Sequence, residues 1–110
     1  MTPRLASEIW VAAYLTRLRL ANIPAYVITR GDATSGVVLV KLATLDGQAR
    51  VFEPRFDFSE NRRVWAILIA GAEPDVDAAL TRARTRDSDL WVIEIEDRAG
   101  RSLLEEDGLT

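Results

Sequence analysis

Turn signals cut residues 25–72 into pieces too short to be helices, and this limits the possible folds more than any other feature of the chain. Gly31 and Gly36 bracket one polar stretch, Asp46-Gly47 supplies a second break, and Pro54 ends the run that follows it. Between these breaks lie Ala25 to Thr29 (AYVIT), Val37 to Ala43 (VVLVKLA) and Gln48 to Glu53, which have the β-branched and aromatic content and the length of strands. Their order predicts that the first two pair as a hairpin. It also predicts that Asp46-Gly47 makes a tight turn with Gly47 at positive φ, so that all three strands form an antiparallel meander.

Two stretches escape this punctuation. From Ser7 to Ala21 there is neither Gly nor Pro, Ser7 stands where an N-cap belongs, and Asn22 and Pro24 stop the run, which predicts a first helix. Glu73-Pro74-Asp75 opens a second, with Val76, Ala79, Leu80 and Ala83 at helical spacing. Its acidic residues come first and Arg82, Arg84 and Arg86 last, which suits the helix dipole. Val64 to Ala70 (VWAILIA) is apolar at both parities, as expected of a central strand covered on both faces or sealed on one side by another subunit. Arg55 to Arg63 has no period and is read as a loop, and Leu90 to Glu96 as the last strand. Leu103-Leu104 is expected to pin a final turn and the acidic end, about 105–110, to fray. The prediction is one α+β domain over residues 1–110, a mostly antiparallel sheet of about five strands with two helices in the order α-β-β-β-β-α-β.

The strings SEIWVAAYLTRLRLANIPAYVITRGDATSGVVLVKLATLDG and DLWVIEIEDRAGRSLL resemble a family of short bacterial proteins known only as a domain of unknown function. The resemblance covers most of the chain and implies a single compact unit. It brings no activity, cofactor or catalytic residue with it.

The residues themselves exclude much chemistry. With no cysteine and no histidine there is no disulfide, thiolate site, thiol nucleophile or imidazole base, and the six glycines fall into neither nucleotide-loop spacing. No catalytic residue, metal site or cofactor is expected. A net charge of -3 makes nucleic acid an unfavoured partner. The longest apolar run is far shorter than the roughly 20 residues of a membrane helix, and the start lacks a secretory pattern, so a cytoplasmic location without membrane contact is expected.

Two places could bind something. At the first connection Gly31 and Asp32 are expected to build the hairpin loop, with Arg30 and Lys41 near one edge of the sheet able to contact an anion, although solvated loop polarity is the better reading. Glu94 and Glu96 share one face of the last strand, within a wider group of Asp87, Asp89 and Asp97, but no metal-loop spacing is present. Trp10, Trp65 and Trp91 are expected in the core. The first helix carries a broad stripe of Trp10, Val11, Tyr14, Leu15 and Leu18 and a second stripe of Ile9, Ala13 and Leu20. Two stripes on one helix need two covers, which predicts a symmetric homodimer. The sequence is thus read as a non-catalytic interaction or regulatory module. The alternative is a small ligand-binding protein or enzyme using Arg and carboxylate groups on the first connection or last strand.

Overall fold

The computed structural model describes residues 5–109. Its elements are α1 (Ser7–Leu20), β1 (Ala25–Thr29), β2 (Val38–Ala43), β3 (Gln48–Asp57), β4 (Arg62–Ala72), α2 (Glu73–Arg86) and β5 (Trp91–Glu96), in the order that the sequence predicts. They make one sheet of order β1-β5-β2-β3-β4. Every neighbouring pair is antiparallel except β2 and β5, so the α+β sheet is mixed.

The β1–β2 hairpin does not form, because β5 lies between the two strands. The connection 30–37 is instead fastened to the start of β5. Asp32 N donates to Asp89 O at 3.0 Å, Trp91 N to Val37 O at 2.8 Å, and the Trp91 indole Nε1 to Asp32 O at 2.7 Å. Gly31 and Gly36 permit this approach, since a Cβ on either would overlap the Asp89 carbonyl oxygen. The antiparallel meander therefore begins one strand later, at β2-β3-β4.

Val64 to Ala70 corrects a second expectation. It lies in β4 at the sheet edge, not at the centre, which belongs to β5 and to β2, whose residues are buried throughout. The segment 55–63 is not a plain loop either, since β3 and β4 pair as far as Asp57↔Arg62 and leave only a short turn. Pro54 is tolerated because it lies beyond Phe52, the last β3 residue paired to β2. Between β2 and β3 the turn is a longer loop, Thr44 to Gly47. There Leu45 and Gly47 both take positive φ, and Asp46 Oδ1 accepts from Gln48 N and Thr44 Oγ1.

Ser7 is not an N-cap. Ala6 holds that position, Ser7 Oγ donates to Gly36 O at 2.6 Å, and the first helical amides are taken by loop carbonyls, Ser7 N by Thr34 O and Glu8 N by Ala33 O. The 31–36 loop thus caps α1 and holds β5 at once.

One helix covers each face of the sheet. Val11, Tyr14 and Leu18 of α1 pack with Val38, Val40 and Leu42 of β2 and Trp91, Ile93 and Ile95 of β5. On the other face Val76 and Leu80 of α2 pack with Leu39, Val51 and Val92, each aliphatic side chain contributing roughly 1.5–3 kcal/mol by its burial. The tail closes over the α1 face. Gly100 turns it at positive φ, Leu104 and Leu109 are fully buried, and Tyr14 donates its hydroxyl to Ser102 O at 2.8 Å. Within the stretch expected to fray, Leu109 inserts into the core beside the Trp10 and Trp65 indoles, both of which donate to its carbonyl. Trp91 is a core residue, whereas Trp10 and Trp65 are half-buried.

Candidate functional site

Position 41 is the one polar position in the apolar run of β2. Strand alternation sends Val40 and Leu42 toward α1 and Lys41 toward α2. There the lysine is 3% exposed, and its Nζ lies 2.7 Å from Glu73 Oε2, 2.7 Å from Asp77 Oδ1 and 3.0 Å from Glu94 Oε1. The parallel β2–β5 register sets Glu94 directly beside Lys41. Glu73 and Asp77 are one helical turn apart at the start of α2 and face the sheet together. Burial alone would lower the Lys41 pKa, but the hydrogen bonds that the ammonium donates to Asp77, Glu73 and Glu94 outweigh it and hold the ammonium above its ordinary range. The three carboxylates lie close enough together to share a cation. The ammonium already fills that role, one positive charge among three negative ones.

Lys41 and Glu94 are therefore the two sequence candidates that the structure brings together. Glu96 sits at the end of β5, where its carboxylate raises the pKa of the Tyr26 phenol. Arg30 and Asp32 lie elsewhere, at the opposite end of β5. Arg30 Nη2 is 3.3 Å from Glu8 Oε2 and its guanidinium stacks 5.0 Å from the Trp91 ring centre. Asp32 Oδ2 accepts from Ser35 N at 2.8 Å and Thr34 N at 3.1 Å, and these amides depress its pKa. Asp32 is thus occupied in shaping its own loop, and no joint Arg30–Lys41 anion contact is built. The acidic residues around β5 also separate, Asp87 and Asp89 at its start and Glu94, Glu96 and Asp97 at its end.

Glu73 and Asp77 escape notice in the sequence because they read as helix-dipole partners. The signal that points to them is Lys41 itself, the only lysine in a chain whose other basic residues are all arginine. A compact ammonium can be ringed by carboxylates in a space that would not admit a planar guanidinium.

Two other surfaces stand out. A cleft of about 440 Å³ lies between Trp10, Val37, Pro54, Arg63, Trp65 and Leu109. Large aliphatics also face solvent. On α1 the stripe of Ile9, Ala13 and Leu20 points away from the sheet, with Ile9 53% and Leu20 77% exposed. On β4, Ile67 is 50% and Leu68 44% exposed, and Leu68 is the extra residue of a bulge opposite Val51 and Phe52.

A five-stranded mixed sheet with one helix on each face, a buried lysine ringed by three partly exposed carboxylates, and exposed apolar side chains on α1 and β4 define a small α+β protein. The chain belongs to the DUF1491 family, proteins of unknown function, whose family model matches residues 5–105. It is similar to a DUF1491 family protein of Caulobacter crescentus CB15 in a crystal structure, at 42% identity and a TM-score of 0.82, over 93% of this chain and 94% of that one. An NMR structure of a DUF1491 family protein from the same organism is 41% identical, with a TM-score of 0.79 and 96% of each chain covered. A protein of A. tumefaciens solved in solution is 31% identical, with a TM-score of 0.71 and 86% of each chain covered. No curated protein matches the chain. No helix among the described residues is long and apolar enough to cross a membrane.

Proposed function

We propose that this chain is a non-catalytic interaction module of the bacterial cytoplasm that works as a homodimer. The observation that carries this reading is β4, a strand apolar on both faces that stands at the rim of the sheet with Ile67 and Leu68 exposed. Soluble monomers guard such edges with charge, proline or cover, and a long apolar edge left open is a surface for pairing. The outward stripe of Ile9, Ala13 and Leu20 on α1 is a second surface of the same kind. Light scattering behind a sizing column, from one to several hundred micromolar, is expected to give twice the 12.3 kDa chain mass. A monomer at every concentration would overturn the homodimer.

A second reading, a small-ligand-binding protein, rests on the cleft beside Trp10 and Trp65, whose volume falls within the roughly 300–1,000 Å³ of small-molecule sites. Saturable thermal stabilisation by a small metabolite would favour it over the interaction module. The Lys41 cluster supports that reading less, since its charges already satisfy one another. Nucleic acid remains an unfavoured partner at a net charge of -3.

A further inference from the structure

We infer that the β4 edge pairs with the β4 edge of a second copy of this chain, antiparallel about a two-fold axis near Ile67 and Leu68, so that one sheet runs through both subunits. This rests on the homodimer reading and names the surface that reading leaves open. None of the described strands lies outside β4, so alternate backbone N–H and C=O groups along 62–72 point outward without a strand partner.

The choice of a second copy follows from how β4 is written. Its middle, Val64 to Ala70, is apolar at both parities. Its beginning carries Arg62, and its end runs straight into the acidic first turn of α2, with Glu73 and Asp75. A strand that reads basic, apolar, acidic complements itself only when antiparallel. An axis near Ile67 and Leu68 sets apolar middle against apolar middle and brings Arg62 beside the start of the partner's α2. Arg62 and Asp75 are both exposed. Asp57, the cross-strand neighbour of Arg62, directs its carboxylate to Ser59 and to the amides of Ser59 and Glu60, and Arg62 contributes only the weakest of the interactions that lower its pKa. The same arrangement carries the β3–β4 tip, where Phe56 and Phe58 meet edge to face at 4.8 Å, alongside the partner.

A β-bulge is one device by which edges avoid pairing. In β4 it has a different result, because the extra residue adds a second large aliphatic, Leu68, to the exposed Ile67. Polar or charged residues would be expected here if the bulge served to keep other strands away.

The test compares the full chain with Ile67→Lys, Leu68→Lys, Arg62→Glu, Arg62→Glu with Asp75→Arg, and Ile9→Glu with Leu20→Glu, by light scattering at low ionic strength. Circular dichroism confirms that each is folded. The wild type is expected to be a dimer and both lysine variants monomers. Arg62→Glu should weaken the dimer about tenfold, the added Asp75→Arg should recover most of that, and the α1 pair should remain dimeric. A wild-type dimer that survives both lysines, or one lost with the α1 pair, overturns the β4 interface and leaves the homodimer standing. A monomeric wild type overturns both. Hydrogen exchange on the unmutated chain tests the same point without substitutions. The outward-pointing amides of Val64 to Ala70 should exchange slowly when concentrated and quickly when dilute, while those bonded to β3 stay protected; exchange of the outward set that ignores concentration counts against the interface.

Discussion

At the centre of the sheet a lysine is buried, while at its β4 edge two large aliphatics face water. Both placements run against hydropathy, and they have opposite causes. Lys41 lies in the interior because three carboxylates converge on its ammonium, so the desolvated charge is compensated. Ile67 and Leu68 lie outside because β4 is the last strand in the sheet order and neither core cluster reaches them. What decides burial in each region is the supply of partners. Each can be tested by removing a partner or by removing the need for one.

The largest effect is expected from Lys41→Met. Glu73, Asp77 and Glu94 would then face one another without a counter-ion; because Glu73 and Asp77 are 36% and 54% exposed, water screens part of that repulsion and the cost falls below the roughly 3–5 kcal/mol of a fully buried ion pair. Urea denaturation at pH 7 should show that loss, and adding Glu94→Gln should return part of it by lightening the uncompensated charge. The alkaline limb gives a second check. The folded-state pKa of Lys41 is raised, so its stabilisation is complete below the unfolded lysine value of about 10.4 and declines as pH rises through the folded value. Wild-type stability should therefore fall more steeply above pH ~10.4 than that of Lys41→Met. Equal slopes, or a variant as stable as wild type, would mean that the cluster does not hold the centre together.

Next comes Gly31→Ala, which tests how β5 reaches the centre at all. A Cβ at Gly31 would collide with the backbone of Asp89 and Leu90 and with the Trp91 ring, none of which is a free side-chain end. Overpacking of this kind costs about 1–3 kcal/mol. It should also loosen the 31–36 loop, which supplies the carbonyls that cap α1. The expected result is a lower melting temperature together with faster exchange at the Ser7 and Glu8 amides. If stability falls without that faster exchange, the loop does not couple β5 to the helix.

Local signals made most of this fold legible. The two helices, the strands and the positive φ of Gly47 follow from periodicity and turn chemistry confined to neighbouring residues. Strand partnership was not legible. AYVIT and VVLVKLA have the composition of a hairpin, and only contacts between Asp32, Val37 and residues 89–91 show that β5 comes between them. The same limit hid the Lys41 cluster. Lys41 and Glu94 were each visible as polar positions in strands, but their meeting depends on the parallel register, and that of Glu73 and Asp77 on where α2 docks. For VWAILIA, apolar composition at both parities showed that cover was needed on two sides. Whether its own sheet or a second chain supplies the cover is a question of topology.

The smallest expected effect is the most informative about the edge. Leu68→Thr removes an aliphatic side chain that is 44% exposed at a bulge, where it fills no space between the helices and the sheet. Threonine brings a β-branched side chain suited to an extended backbone, so the strand itself is not penalised. In a dilute, monomeric sample the change in unfolding free energy should therefore stay within about 0.5 kcal/mol, as for surface positions generally. At higher concentration the two chains should diverge. Association of the native state stabilises it by mass action, so the wild-type denaturation midpoint should climb with concentration while that of Leu68→Thr lags behind. A variant destabilised even when dilute would show that Leu68 supports the fold of its own chain. Two midpoints that stay together at every concentration would show that the exposed β4 edge is left unused, and the contrast between centre and edge would then be one of packing alone.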